Sequence, residues 1–150
     1  MTRRGRVGYA LVLVAALTAW SAARADDEDT IDYRKHIMRS MREQAASIAM
    51  VLQKKAPADN FATHVRILAV TAAMAKKAFE PKVPGGDAKP EVWSNWADFA
   101  KRLDTLVAAT DELAKTAEAG GLPAAAPKVE AALSCKACHD KYKVPSKTGQ

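Results

Sequence analysis

The chain has 150 residues, 49% of them apolar, and 23 Lys and Arg stand against 17 Asp and Glu for a formal net charge of +6. That length bounds it to one domain. No basic stripe with interleaved aromatic residues survives beyond the leader described next, which excludes nucleic-acid binding.

Residues 1–25 read as a cleaved secretory signal peptide. Arg3, Arg4 and Arg6 form a positive n-region, Val7 to Trp20 is an apolar run, and Ala23-Arg24-Ala25 is an A-x-A cleavage site. An uncleaved anchor fits less well, because the apolar run is too short to span a bilayer comfortably. Arg3-Arg4 is a weak twin-arginine hint. Cleavage after Ala25 exposes the acidic cluster Asp26-Asp27-Glu28-Asp29 and leaves 19 basic against 17 acidic residues, a net charge of +2. Residues 26–150 are then the exported, periplasmic domain.

That domain reads helical throughout, with no period-two strand run. Breakers cluster at Lys55-Ala56-Pro57, from Pro81 to Pro90, and at Gly120-Gly121-Leu122-Pro123, and three breaks make four helices. The first is expected from about Ile31 to Leu52, capped by Asp29 or Thr30. Its inward stripe is Ile31, Arg34, Met38, Met41, Ala45, Ile48 and Leu52. Arg34 is the exception on that stripe, since a guanidinium in a core is costly unless paired. It either meets a carboxylate or snorkels to water at the helix end.

The second helix is expected from about Asn60 to Phe79, capped by Asp59 or Asn60. It has a stripe of Phe61, Val65, Leu68, Ala72, Ala75 and Phe79, with His64 flanking it as a boundary residue. His36 sits off the first stripe. The linker from Glu80 to Lys89 is too rich in Pro and Gly for regular structure and is long enough to wrap an edge of a bundle. The third helix runs from about Pro90 to Ala119, with Pro90 at its first position. Its stripe is Val92, Trp96, Phe99, Leu103, Leu106, Thr110, Leu113 and Ala117. Trp93 and Trp96 at its start read first as core packing, although contact with a flat apolar ligand gives the same pattern. The fourth helix begins at Pro123 or Pro127, carries Val129, Leu133 and Tyr142, and stops before Val144-Pro145. One apolar stripe per helix makes an antiparallel four-helix bundle, and about 125 residues can bury a real core.

The fourth helix also carries Cys135-Lys136-Ala137-Cys138-His139 and with it both cysteines of the chain. C-x-x-C-H is the attachment signature of a c-type haem. On a helix the three residues stand at i, i+3 and i+4 and share one face. Two thiols can then add to the two vinyl groups of one porphyrin while the imidazole reaches its iron. A disulfide between these cysteines fits poorly and would staple no loop. A thioredoxin-like pair needs a βαβ context that is not visible. A zinc site would need a fourth ligand, with only His36 and His64 left to supply it.

With these features the chain resembles the class II c-type cytochromes, the cytochrome c-prime group. The resemblance rests on Asp32-Tyr33-Arg34, on Gly85-Gly86-Asp87-Ala88-Lys89-Pro90-Glu91-Val92-Trp93, on Cys135 to His139, and on Asp140-Lys141-Tyr142-Lys143. It covers residues 30 to 143, and the C-terminal position of C-x-x-C-H separates it from class I cytochromes c. The resemblance implies one covalent haem c between the helices. Cys135 and Cys138 would be its thioether residues, His139 the proximal iron ligand and Arg34 a propionate partner, with Trp93 and Lys143 in the haem environment. Lys35 stands where the family commonly has Gln, and Lys143 where it usually has Arg, so the planar fork is absent. Met38 falls at the family's distal position, where a Met ligates iron in low-spin members and a side chain blocks the sixth side in high-spin ones. The step Ile37-Met38 resembles the low-spin members.

The function expected is electron transfer, with haem iron cycling between ferric and ferrous and passing electrons to periplasmic redox proteins. No nucleophile–base pair or carboxylate pair in a recognisable motif points to an enzyme. The alternative is a five-coordinate haem module that binds nitric oxide or carbon monoxide. Family members are often homodimers through their first two helices; here the outer face of the first helix is polar at Arg39, Glu43 and Ser47.

Overall fold

The computed structural model describes residues 26–145, so the signal peptide expected over residues 1–25 lies outside the described residues. Among these the helices are α1 Asp27–Leu52, α2 Phe61–Phe79, α3 Glu91–Ser94, α4 Trp96–Ala125, α5 Val129–Ala132 and α6 Cys135–Tyr142, with 3-10 turns at Ala58–Asn60 and Ala126–Lys128. They make the four legs of a four-helix bundle: α1, α2, α3 with α4, and α5 with α6. Side chains that reach between legs give the chain directions. Gln44 meets His64 and Arg34 meets Phe79 across α1 and α2. Arg66 pairs with Glu118 and Lys76 with Asp104 across α2 and α4. Lys128 pairs with Glu112, and Tyr142 with Asp98, across α4 and the last leg. In each set the numbers rise on one leg as they fall on the other, so successive legs are antiparallel.

α1 starts four residues before the expected Ile31. Asp26, not Asp29 or Thr30, is the cap, and its Oδ1 accepts from the Asp29 amide at 2.8 Å. Asp27, Glu28 and Asp29 then fill the first turn, where negative charge suits the helix dipole. At the other end the Lys55 amide donates to the Met50 carbonyl at 2.8 Å around Lys54, which adopts φ 58°. That is the left-handed closing turn usually given to Gly. The buried face is Arg34, Ile37, Met41, Ile48 and Val51. Ile37 is buried more deeply than Met38. Leu52, expected inside, is 37% exposed, and Val51 beside it, 3% exposed, takes the inward position instead.

α2 packs against both α1 and α4, and its expected stripe of Phe61, Val65, Leu68, Ala72, Ala75 and Phe79 is buried throughout. The third leg is interrupted at Asn95 (φ −124°, ψ 46°) and again at Gly121. The conformation there, φ 64° and ψ −162°, belongs to glycine alone. The fourth leg is not the single helix expected. Pro127, which has no N–H to donate, sits in a 3-10 turn. Leu133 (φ −104°, ψ 28°) and Ser134 (φ −72°, ψ 48°) then separate α5 from α6.

Residues 80–90 form a strap across one end of the bundle. Gly85 (φ 128°) and Gly86 (φ 62°) lie against Ile31 of α1, where a Cβ on either would come within 2.9 Å of that side chain. At its far end the strap pairs with the tail of α6. The Lys89 amide donates to the Tyr142 carbonyl at 2.9 Å, and the Val144 amide to the Asp87 carbonyl at 2.8 Å.

Candidate functional site

α6 is eight residues long and carries Cys135, Cys138 and His139 at i, i+3 and i+4. Tyr142 continues that stripe by one more turn and is the one residue of α6 that is buried. Cys135 and Cys138 are both free thiols, Cys135 exposed and Cys138 half-buried against the core. Burial pushes both thiols above their ordinary value, so at neutral pH they stay protonated. Burial, seconded by the nearby Lys143 charge, lowers His139, which favours the neutral imidazole that a metal requires. Two thiols and a neutral imidazole on one helical stripe are the donor set that a haem c takes. Among the described residues, no three His, Cys, Asp or Glu side chains are grouped to hold a metal ion.

The carboxylate of Asp98, on α4, anchors this helix. Its Oδ2 accepts from Arg102 Nε at 2.8 Å, from Lys141 Nζ at 2.9 Å and from the Tyr142 hydroxyl at 2.5 Å. These donors, Arg102 foremost, hold the Asp98 carboxyl far below the usual carboxylate range. The Tyr142 ring stands edge-on to Phe99 at 5.1 Å, and desolvation raises its hydroxyl pKa.

Arg34 lies at the other side of the same end of the bundle. It is 3% exposed, so it does not snorkel to water. Its Nη1 donates to the Val83 carbonyl at 2.7 Å, and its Nη2 to the Gly85 carbonyl at 3.4 Å. The guanidinium stands over the rings of Phe79 at 5.4 Å and Trp93 at 5.0 Å. Burial lowers its pKa. Trp93 is half-buried and donates Nε1–H to the Phe79 carbonyl at 3.0 Å. Phe79 meets Phe99 at 5.1 Å, so an aromatic row runs from Arg34 through Phe79 and Phe99 to Tyr142. The strap joins the same two places along the backbone, receiving Arg34 at Val83 and Gly85 and pairing with Tyr142 at Lys89.

Met38 sits one turn after Arg34 on α1, half-buried and packed against the core, as Cys138 is. Lys143 is half-buried, with its ammonium 3.7 Å from the Asp87 carboxylate of the strap. Lys35 pairs with Asp32 at 3.0 Å on the surface of α1. His64 is bound to Gln44 at 2.9 Å as a link between α1 and α2, and His36 is exposed. The structure thus brings Arg34 and Trp93 into contact and gathers Cys135, Cys138 and His139 on one stripe. It also shows residues that the pattern of the sequence did not single out: Asp98, and Lys89, whose Nζ reaches the Asp140 and Lys141 carbonyls at 3.2 and 3.4 Å. The i, i+4 pair Asp98–Arg102 was the only local signal for the first.

Comparison with known proteins places this arrangement. The profile of the family Cytochrome C' matches residues 29–143. Cytochrome c' of Alcaligenes xylosoxydans xylosoxydans is 33% identical over 126 residues, covering 79% of this chain and 96% of that protein. Cytochrome c' of Rubrivivax gelatinosus is 33% identical over 121 residues, covering 77% and 94%. Among solved structures, a nitric oxide complex of a mutant cytochrome c prime from Alcaligenes xylosoxidans superposes with a TM-score of 0.74 at 31% identity, covering 82% of this chain and all of that one. A carbon monoxide-bound variant from the same organism also gives 0.74 at 31% identity and 82% coverage. With a matching profile over most of its length and relatives at this identity, the chain belongs to the cytochrome c′ family of four-helix-bundle proteins that bind haem c.

Proposed function

We propose that this chain is an exported haem c protein that carries electrons between periplasmic redox proteins. The observation that carries the reading is the stripe on α6, where two free thiols and the His139 imidazole stand at the spacing a porphyrin needs. Cys135 and Cys138 would hold the group by thioether bonds, and His139 would be its proximal iron ligand. A bound haem c supplies an iron that exchanges one electron between Fe(III) and Fe(II) and offers a coordination position to a further ligand. Arg34 would face a propionate. A guanidinium has five N–H donors, and its Nη2 contact at 3.4 Å is long enough to yield to a carboxylate. Trp93 and Lys143 would border the group, and Met38 would be the sixth ligand. Supporting export, residues 1–25 have the make-up of a signal peptide.

A second reading has a specific observation in its favour: solved relatives carry nitric oxide or carbon monoxide. In that reading Met38 packs beside the iron instead of binding it, which its flexible thioether allows, and the sixth position is open to a small gas.

One preparation tests both. Mature protein should have the mass of the chain from Asp26 plus one haem and keep its colour through acid–acetone extraction; a colourless protein with two titratable thiols overturns the haem reading. A low-spin ferric spectrum that Met38→Ala converts to high spin supports the carrier. A wild-type ferric spectrum that is already high-spin, with ready uptake of nitric oxide, supports the gas-binding module. We also infer pairing of two copies along α2, whose outer row of Ile67, Val70 and Met74 is 40%, 59% and 40% exposed. Sedimentation of wild type as a dimer and of Val70→Lys as a monomer is the expected result, and a monomeric wild type refutes it.

A further inference from the structure

α6 is too short and too exposed to fix its own orientation. It has eight residues, buries one of them, and lacks a side-chain cap at Ser134. The backbone ahead of it leaves helical geometry at Leu133 and Ser134. Yet an iron ligand has to be held closely in angle and depth, and supporting groups beyond the ligand ordinarily do this. The lever for it lies on the ligand's own stripe. Tyr142 is i+3 from His139 and i+4 from Cys138, so fixing the Tyr142 side chain fixes the rotation of the face that carries both.

We propose that Asp98 is the positioning residue of the haem-binding stripe, because one carboxylate oxygen on α4 accepts from both Tyr142 and Lys141 of α6. Two donors from α6 and one from α4 itself converge on Oδ2, at 2.5, 2.9 and 2.8 Å. Arg102 completes the set and steadies the carboxylate along its own helix, at i+4. Tyr142 is 3% exposed and packs edge-on to Phe99, one residue along from Asp98. The hydroxyl bond therefore locks a ring that is already wedged, and α6 can neither roll nor slide without breaking it. The C-terminal end of α6 is held differently, by backbone pairing with the strap at Lys89 and Asp87. Those bonds hold the end of the helix in place but leave its roll to Asp98.

The proposal rests on the haem reading for its spectroscopic arm but not for its structural one. The variants are Asp98→Ala, Tyr142→Phe and, as a control, Asp104→Ala. Asp104 lies on the same helix and accepts a lysine at 2.9 Å as Asp98 does, but from α2. In mature holoprotein, Tyr142→Phe should speed amide exchange over residues 138–143 by at least about tenfold, the low end for one lost hydrogen bond to a charged acceptor, and Asp98→Ala by more, because it also releases Lys141. Exchange in α2 should stay as in wild type. Both should also shift and broaden the iron–imidazole stretch in the resonance Raman spectrum of the ferrous protein, and Asp104→Ala should do neither. Asp98→Asn, which keeps an acceptor oxygen, should recover part of the effect. Exchange that rises by one common factor in α6 and α2 would reduce Asp98 to a contributor to global stability and overturn the proposal. So would an unmoved iron–imidazole band in both variants. If Asp98→Ala does not fold, Tyr142→Phe decides alone. If the wild type carries no haem, the functional reading falls, and the exchange contrast still decides the role of Asp98.

Discussion

Replacing Arg34 with leucine tests whether the strap is held by that one side chain. The guanidinium makes one short bond to the Val83 carbonyl at 2.7 Å and one long bond to Gly85 at 3.4 Å. A hydrogen bond from a charged donor is worth about 1.5–3 kcal/mol, and one at the outer distance limit adds little. Standing over two rings at 5.4 and 5.0 Å adds about 0.5–1 kcal/mol for each ring. Against this, the guanidinium loses hydration on burial, as the lowering of its pKa shows, and leucine regains part of the apolar contact with Phe79 and Trp93. The net expectation for Arg34→Leu is a loss of about 2–3 kcal/mol, or roughly 6–12 °C in Tm for a domain of this size. Arg34→Lys should cost about half as much, since an ammonium reaches the Val83 carbonyl but cannot stack on both rings. Urea unfolding at pH 7, with a slope common to all three proteins, measures both. A loss below about 0.5 kcal/mol for Arg34→Leu, or a greater loss for Arg34→Lys than for Arg34→Leu, would refute the reasoning and mean that water replaces the guanidinium at those carbonyls.

Three further outcomes follow from named backbone and charge features. Lys54 holds φ 58° at an exposed closing turn, so Lys54→Gly should stabilise the protein by about 0.5–1 kcal/mol in the same assay; a destabilised variant would refute this. Gly86→Ala should cost about 1–2 kcal/mol, because φ is 62° and the new Cβ would stand 2.9 Å from Ile31 Cγ2; an unchanged midpoint would show that the strap can move aside. Asp98, facing Arg102 and Tyr142 and Lys141, has its pKa depressed in the folded state. Its contribution is therefore fully present above the unfolded value near 3.9 and is lost as the pH falls from there toward the folded value. The stability difference between wild type and Asp98→Asn should stay flat from about pH 8 to pH 5 and shrink only below about pH 4; shrinkage that begins above pH 5 would refute it.

What could be read from the sequence depended on whether a feature had a period or a spacing. All six positions of the stripe read for α2 are buried, because it packs on both sides; that packing also buries Ala69, Thr71 and Ala78, which lie off the stripe, Thr71 with its hydroxyl donated to the Ile67 carbonyl. The stripe of Cys135, Cys138 and His139 was legible for the same reason, as a spacing that helical geometry forces. Arg34 showed only as an anomaly, a charge among apolar positions, because its partners are main-chain carbonyls of residues 83 and 85, which no residue type announces. The break between α5 and α6 falls at Leu133 and Ser134, where neither Gly nor Pro marks it. Asp98 reads along the chain as half of an i, i+4 pair with Arg102; its other partners lie 43 and 44 residues away, and only the fold brings them together.

The same division explains how the site is built. α6 buries only Tyr142 and leaves Cys135 and His139 exposed, which is what the proposed role of that stripe in holding a haem requires. Its placement then has to come from outside it. One support is the carboxylate of Asp98, reached through Tyr142 and Lys141. The other is the strap, pinned to α1 by Arg34 and by the fit of Gly85 and Gly86 over Ile31, and paired with α6 through Lys89 and Asp87. Between the two supports, the rings of Phe79 and Phe99 fill the space from Arg34 to Tyr142 with side chains that have little rotamer freedom to lose. A charge buried on α1 and a charge half-exposed on α4 therefore serve one end, the orientation of the stripe on α6, from opposite sides. That is why both are tolerated in or beside a core that is otherwise apolar.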